Sequence, residues 1–441
     1  MEYNVAIISL GCPKNQVDSE VMMGLLKDSG FKLVSDQNEA DIIVVNTCGF
    51  IEDAKQESID VILEACSLKR TGRCKLLVAA GCLSQRYGKE LMEEIPEIDA
   101  MVGTTSFTEI VNTIKKALRG SKEVRIWDPS VQIKEGLSKI QSTPVYTAYL
   151  KIADGCDNFC SYCIIPALRG RYRSRKEDEI LSEAETLALK GTKELVLIAQ
   201  DITRYGMDLY GEPVLPDLLE GLCRIRGIEW VRLLYCYPDG ITEKLISTIK
   251  KEEKICNYID MPIQHISDEV LKRMNRRTTG SDIENTVKRL KVEIPGLILR
   301  STVIVGFPGE TEEDFNCLLC FVKKGYFDRL GVFVYSREED TPAYHMDRQI
   351  SRETAEKRKD IIMKEQQKIS LLKNALMVGR SERVLVEGKE EKYYFGRTYG
   401  DAPEIDNQVL FQSASPLKAG EFVTVKLEHA FEYDVIGSVL K

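Results

Sequence analysis

Ala148-Tyr149-Leu150-Lys151-Ile152-Ala153-Asp154-Gly155-Cys156-Asp157-Asn158-Phe159-Cys160-Ser161-Tyr162-Cys163 is an apolar run that empties into a loop bearing three cysteines. A short apolar run bounded by a polar loop reads as a buried strand. Five comparable runs follow: Glu194 to Ala199, Trp230 to Tyr235, Tyr258 to Gln264, Leu297 to Val305 and Leu330 to Tyr335. Most lead into a loop and a helical pattern, so the strands should lie parallel and be joined by right-handed crossovers. Six β/α units predict a partial (β/α)6 barrel over residues 142–372 rather than the eight units of a full one.

Toward the N-terminus, Val5 to Leu10, Asp41 to Val45, Lys75 to Ala80 and Ala100 to Gly103 also read as strands. Helical patterns such as Asp18 to Asp28 and Ala54 to Ser67 lie between them. This alternation predicts an α/β, doubly wound parallel-sheet domain over residues 1–130. The polar stretch from Trp127 to Pro144, with Pro129 and Gly136 inside it, reads as a linker. Beyond the barrel, Ser351 to Ala375 lacks Gly and Pro and reads as one connecting helix. Residues 375–441 then break into short strand candidates: Val384 to Glu387, Phe395 to Thr398, Gln408 to Phe411, Phe422 to Leu427 and Tyr433 to Val439. Separated by Gly, Pro and Asp turns, they predict a small all-β barrel.

A length of 441 residues accommodates about three domains of ordinary size. The net charge of −8 argues against general nucleic-acid affinity, because proteins that neutralise many phosphates are usually basic. No apolar run approaches the roughly 18 residues of a membrane span. Met1 to Leu10 carries Glu2 and no basic residue ahead of its apolar stretch, so a secretory leader is not expected and the chain is read as cytoplasmic. Thirteen cysteines in a reducing compartment read as metal ligands or buried thiols, not disulfides. With only His265, His345 and His429, and no HxH or HExxH pair, a zinc hydrolase is a poor fit.

Cys156, Cys160 and Cys163 form a C-x3-C-x2-C run at a strand end. Three thiolates on one loop can hold three irons of a 4Fe-4S cluster and leave the fourth iron open. Zinc or buried thiols are the plainer alternative. Cys12, Cys48 and Cys82 each sit just past the C-terminal end of a strand candidate. In a doubly wound sheet such ends meet at one crevice, where a second three-ligated cluster would fit; packing as small apolar side chains is the other reading. Cys317 and Cys320 are expected in the core, and Cys236 is expected to pack at a strand end.

These residues resemble the methylthiotransferase family of radical S-adenosylmethionine (SAM) enzymes over essentially the whole chain. Gly11-Cys12-Pro13-Lys14-Asn15, Asn46-Thr47-Cys48-Gly49-Phe50, Gly81-Cys82-Leu83-Ser84-Gln85-Arg86-Tyr87, the Cys156 to Cys163 motif and Val305-Gly306-Phe307-Pro308-Gly309-Glu310-Thr311 carry the likeness. Within the family, Asp260 to Ser267, Ala199 to Gly206 and Gly396 to Asp406 are more similar to the branch acting on ribosomal protein uS12 than to the tRNA adenosine methylthiotransferases. The resemblance implies a cluster-bearing N-terminal domain, a radical SAM barrel and a C-terminal TRAM barrel. It also implies β-methylthiolation of a uS12 aspartate, a 5′-deoxyadenosyl radical from SAM and two 4Fe-4S clusters. Catalysis then falls to Cys156, Cys160 and Cys163, and sulfur delivery to the cluster on Cys12, Cys48 and Cys82. A reducing protein such as a flavodoxin or ferredoxin is expected as a partner.

SAM would lie across the barrel strand ends, with Gln200 and Asp201 at its amino group, Gln264 or Arg300 at its carboxylate or ribose, Val305 and Gly306 at the adenine and Tyr162 packed on it. His265 would contact substrate or SAM, or serve structure alone. The run Arg169, Arg171, Arg173 and Arg175 would reach ribosomal RNA or the substrate carboxylate, or form a solvated face. Residues 375–441 hold eight Lys or Arg against eleven Asp or Glu, a net of −3 that suits a basic protein partner better than RNA.

Overall fold

The computed structural model describes residues 3–134 and 136–440; Met1 and Glu2, the start of the leader reading, lie outside the described residues, as do Glu135 and Lys441. Strands β1 (Asn4–Ser9), β2 (Lys32–Leu33), β3 (Ile42–Thr47), β4 (Leu76–Gly81), β5 (Ala100–Val102) and β6 (Glu123–Arg125) form one parallel sheet. Its order is β2-β1-β3-β4-β5-β6. Every residue of β3 and β4 is buried, so both faces need cover. Helices α1 (Pro13–Asp28) and α4 (Ile110–Ala117) supply it on one side, through Met22, Leu26, Ile110 and Ile114. Helices α2 (Glu52–Thr71) and α3 (Cys82–Glu94) supply it on the other, through Ile62, Ala65 and Leu91. The order reverses between β1 and β3, which makes their C-terminal ends the crevice of a doubly wound sheet. The edge strands β2 and β6, of two and three residues, are too short to show a periodicity in sequence.

The central sheet contains β7 (Thr147–Lys151), β10 (Glu194–Ile198), β11 (Trp230–Leu233), β12 (Ile255–Asp260), β13 (Ile298–Val305) and β14 (Arg329–Val334). These are the six expected parallel strands, ordered β14-β13-β12-β11-β10-β7 and left open between β7 and β14. A short antiparallel ribbon, β8 (Ala153–Asp154) with β9 (Arg173–Ser174), brackets the cysteine loop. The Tyr258 to Gln264 candidate is displaced: β12 ends at Asp260, and only a single bridge, Gln264 to Val303, follows. Pro262 has no N–H to give the ladder, and Gln264 adopts φ +68°, outside strand geometry.

Helix Arg352–Ala375, capped by the Ser351 hydroxyl at Thr354 N, leads into the last domain. There β15 (Ser381–Glu390), β16 (Tyr393–Arg397), β17 (Val409–Gln412), β18 (Phe422–Ala430) and β19 (Val435–Val439) close into a barrel. Its Leu385 and Ala402 pack with Tyr146, Trp230 and Cys256, residues at or beside the starts of the central strands. The Trp230 and Phe422 rings meet edge to face at 4.8 Å. This barrel therefore seals the strand beginnings and leaves the strand ends to the N-terminal domain. The linker lies along α1: Ile140 N donates to Glu20 O at 3.0 Å, and Ser142 N and Oγ donate to the Glu20 carboxylate at 2.8 Å. No described helix is long and apolar enough to cross a membrane.

Candidate active site

Cys12 stands at the N-cap of α1, Cys48 follows β3, and Cys82 opens α3 directly after β4. Two glycines bring these loops into contact. A Cβ on Gly11 would stand 2.8 Å from Cys48 Cβ and 3.0 Å from its Sγ. One on Gly49 would stand 3.0 Å from the Cys82 carbonyl carbon. Any side chain at either position would push the cysteines apart. Buried polar groups pin the same loops: Asn15 Nδ2 donates to Leu10 O, Asn46 O and Thr47 O at 2.8, 3.2 and 3.3 Å. Asn46 Nδ2 returns a bond to Asn15 O at 2.8 Å, and Leu83 N donates to Thr47 Oγ1 at 3.2 Å.

Cys156, Cys160 and Cys163 ride the loop between β8 and α5 (Ile165–Arg169). Gly155 adopts φ +77°, and a Cβ there would meet Arg171 O at 2.0 Å, so the loop passes its returning strand only as glycine. Cys156 N donates to Gly170 O at 3.1 Å, and Cys163 N to Cys160 O at 3.0 Å. Ser161 Oγ anchors the loop to Arg273 O at 2.7 Å. Cys160 Sγ lies 3.0 Å from the Tyr237 hydroxyl, and the Arg276 guanidinium covers the Tyr237 ring at 4.3 Å.

All six thiols are free. Burial pushes Cys156 up to about 11 and raises Cys163 further. It also pushes Cys82 up to about 12, against the pull of the Arg169 guanidinium. Such thiols stay protonated until a metal takes them as thiolates. Among the described residues no three His, Cys, Asp or Glu side chains converge on one point, as a single-ion site requires. Cys156, Cys160 and Cys163, three thiols on one short loop, are donor chemistry that fits a 4Fe-4S cluster.

The two trios share one seam. Cys82 packs against Ile164 and Leu168, the residues just after Cys163, with Phe50 beside them. Arg169, 1% exposed, reaches across this seam. Its Nη2 lies 3.9 Å from Cys82 Sγ and bonds Asp18 Oδ2 at 3.0 Å, while its Nη1 bonds Asp154 Oδ2 at 3.1 Å. Lys151 pairs with the same two aspartates, and Gln200 Nε2 donates to Asp154 Oδ1 at 2.9 Å. Arg169 is thus an interior strut and not an RNA contact. Arg171 covers Phe159 at the surface, and Arg173 donates to Arg169 O and Arg171 O.

The residues expected at SAM divide. Among the described residues, Gln200 and Gln264 each hold a buried amide oxygen with no partner, and Tyr162 joins an apolar wall with Met274, Phe307 and Ala343. Asp201 is committed elsewhere: its carboxylate, 1% exposed, accepts from Thr203 N at 3.1 Å and Asn158 Nδ2 at 2.9 Å, capping a short turn. Arg300 pairs with Asp260 at 2.8 Å and with Asp406 of the C-terminal barrel at 3.4 Å. It lies five strand residues, about 16 Å, before Val305. Val305 packs into the core, and Gly306 makes room for Ala355, whose Cβ would be 2.4 Å from a Cβ there. His265 is fully buried, accepts from Ser267 N at 3.0 Å and faces Glu310 at 3.6 Å. Cys317 and Cys320 are exposed on their helix instead of buried, whereas Cys236 is fully buried.

Lys14 and Tyr237 are not singled out in the sequence, and Arg169 is read there only as one of a run of four arginines. Lys14 stood in the quoted Gly11 to Asn15 motif, but nothing local says where its ammonium goes.

Residues 4–103 match the uncharacterized protein family UPF0004, residues 150–322 the radical SAM superfamily and residues 378–440 the TRAM domain. The ribosomal protein uS12 methylthiotransferase RimO of Thermoanaerobacter sp. (strain X514) is 52% identical across 98% of this chain and 99% of its own length. That of Clostridioides difficile (strain 630) is 53% identical across 99% and 98%. The chain belongs to the RimO family. RimO relatives of this likeness extend to Geobacter sulfurreducens, 50% identical across 99% of this chain. Among solved structures, the radical SAM methyltransferase TsrM from Kitasatospora setae superposes with a TM-score of 0.58 at 17% identity, covering 78% of this chain and 77% of that one. That likeness concerns the fold. The radical SAM match carries with it SAM and a 4Fe-4S cluster.

Proposed function

We propose that this chain transfers a methylthio group to the β-carbon of an aspartate in ribosomal protein uS12 by radical SAM chemistry. The observation that carries the reading is the seam itself: Cys82 of the N-terminal domain packs on Ile164 and Leu168, which follow the Cys156 to Cys163 loop, so the strand ends of both sheets meet there. Cys156, Cys160 and Cys163 would hold the cluster that binds SAM, and Cys12, Cys48 and Cys82 a second cluster that carries the sulfur. The aspartate β-hydrogen lacks the acidity an ordinary general base needs. Bound at those residues, SAM and the clusters would supply the alternative, homolytic chemistry at that C–H bond and the methylthio group.

The chain's own residues position and insulate. The free amide oxygens of Gln200 and Gln264 accept N–H or O–H donors of SAM, and the wall of Tyr162, Met274 and Phe307 excludes water. Arg169 offsets thiolate charge beside Cys82. The reductant is read as a flavodoxin or ferredoxin. The C-terminal barrel offers Glu390, Glu391, Glu404, Glu421 and Glu428 at its surface for a basic partner, whereas Asp401 and Asp406 face inward.

Mass spectrometry of uS12 and bulk tRNA from cells lacking this protein tests the reading. Loss of the methylthio group from uS12, with tRNA unchanged, is expected; the reverse pattern would assign the chain to tRNA.

A further inference from the structure

Lys14 is 8% exposed, two residues past Cys12 in the first turn of α1. Its Nζ stands 3.3 Å above the ring centroid of Tyr235, which belongs to the loop after β11 and adopts φ +63°. The Tyr235 backbone is held from both sides: its N donates to Asp260 Oδ2 at 3.1 Å, and its O accepts from Ile202 N at 3.1 Å. The ammonium lies within electrostatic range of Cys12 in one trio and Cys163 in the other. It therefore stands where the start of α1 meets the strand ends of the central sheet.

Its neighbours in the same seam are matched. Lys151 and Arg169 share Asp18 and Asp154, and Lys139 pairs with Glu20 and Glu183 at 3.0 and 3.1 Å. Among the described residues Lys14 has no carboxylate partner. A buried ammonium resting on an aromatic face keeps some compensation but leaves its N–H donors available for an anion. Arg169 already stands by the Cys82 thiol, so a second cation at that trio is not needed to explain Lys14.

We propose that Lys14 binds the carboxylate of the substrate side chain and so fixes its β-carbon between the two trios. The inference rests on the uS12 reading above and adds the group that recognises the aspartate. In aspartate the carboxylate carbon is bonded directly to the β-carbon. One charged contact on the carboxylate thus positions the reacting carbon more tightly than contacts along the peptide would. An asparagine of the same shape lacks the charge, so Lys14 would also set the choice of residue. A buried charge pair that loses one partner is strongly penalised, which makes the discrimination large.

The test uses the full-length protein with both clusters reconstituted anaerobically, and a fluorescent uS12 peptide with its target Asp or with Asn in that place. Wild type should bind the Asp peptide on the order of 100-fold tighter than the Asn peptide. Lys14→Met should bind both with similar, weak affinity while keeping its iron, and Lys14→Arg should restore part of the preference. A Lys14→Met protein that still prefers Asp as strongly as wild type overturns the inference. Loss of iron from Lys14→Met also overturns it, because the ammonium would then serve the clusters. If wild type neither binds nor methylthiolates the Asp peptide, the uS12 reading falls with it; if wild type modifies the peptide and Lys14→Met discriminates equally well, only the role of Lys14 falls.

Discussion

At the seam where the C-terminal barrel seals the strand beginnings, Glu194 meets Arg232 at 2.7 Å and Arg397 at 2.6 Å, Arg397 meets Glu387 at 2.8 Å, and Asp401 meets Arg329 at 3.0 Å. At the opposite seam, where the N-terminal domain covers the strand ends, Asp18 and Asp154 are likewise shared by Lys151 and Arg169. There, however, Lys14 finds no carboxylate partner among the described residues, and the Gln200 and Gln264 amide oxygens find no hydrogen-bond partner among them. Both seams bury charge, which costs solvation unless each ion finds its partner. In the first, Glu194, Glu387 and Asp401 each meet an arginine, which makes it a fixed joint. In the second, Lys14 rests on the Tyr235 ring instead of a carboxylate.

The sharpest way to break this contrast is at the cysteines. Changing Cys156, Cys160 and Cys163 together to Ala should abolish SAM cleavage and take reconstituted iron from about eight to about four per chain. Iron that stays near four in the intact protein would remove the second centre. Arg397→Ala should strand Glu387, leave Glu194 with Arg232 alone and destabilise the fold by about 3–5 kcal/mol in chemical denaturation. If it instead left stability unchanged, the joint would not depend on its charges.

Acid sharpens the same point. Burial raises the Glu194 carboxyl, but Arg397 and Arg232 override it and hold it down at about 2, against 4.5 when free. The unfolded chain thus binds the proton first, so this contribution is intact above about pH 4.5 and is lost as pH falls toward 2. Denaturation midpoints should fall more steeply over that window in wild type than in Glu194→Gln. The smallest effect belongs to the rim: Arg383, half exposed, pairs with Glu229 at 2.9 Å and covers Phe422 at 3.9 Å. Arg383→Ala should cost no more than about 1 kcal/mol.

Much of the architecture could be read before any coordinates. Strand runs such as Ile42 to Thr47 and Glu194 to Ile198 are local patterns, and local patterns survive folding. The two-residue β2 and the bent exit of β12 were not legible, because edge pairing and a positive φ at Gln264 depend on neighbours distant in sequence. The candidate site divides the same way. Its cysteines sit where strand ends had to meet, but Asp201, Arg300 and Gly306 answer to Thr203, Asp406 and Ala355, none of which their own segments announce. Arg169 looked like one of four surface arginines and is an interior strut.

The amino-acid order alone determined the three-part organisation, because periodicity is a property of short segments. Only the tertiary structure decided which buried charges cancel and which, like Lys14, remain to be met. Charge pairing acts across space between segments as far apart as Glu194 and Arg397, and no local pattern encodes it.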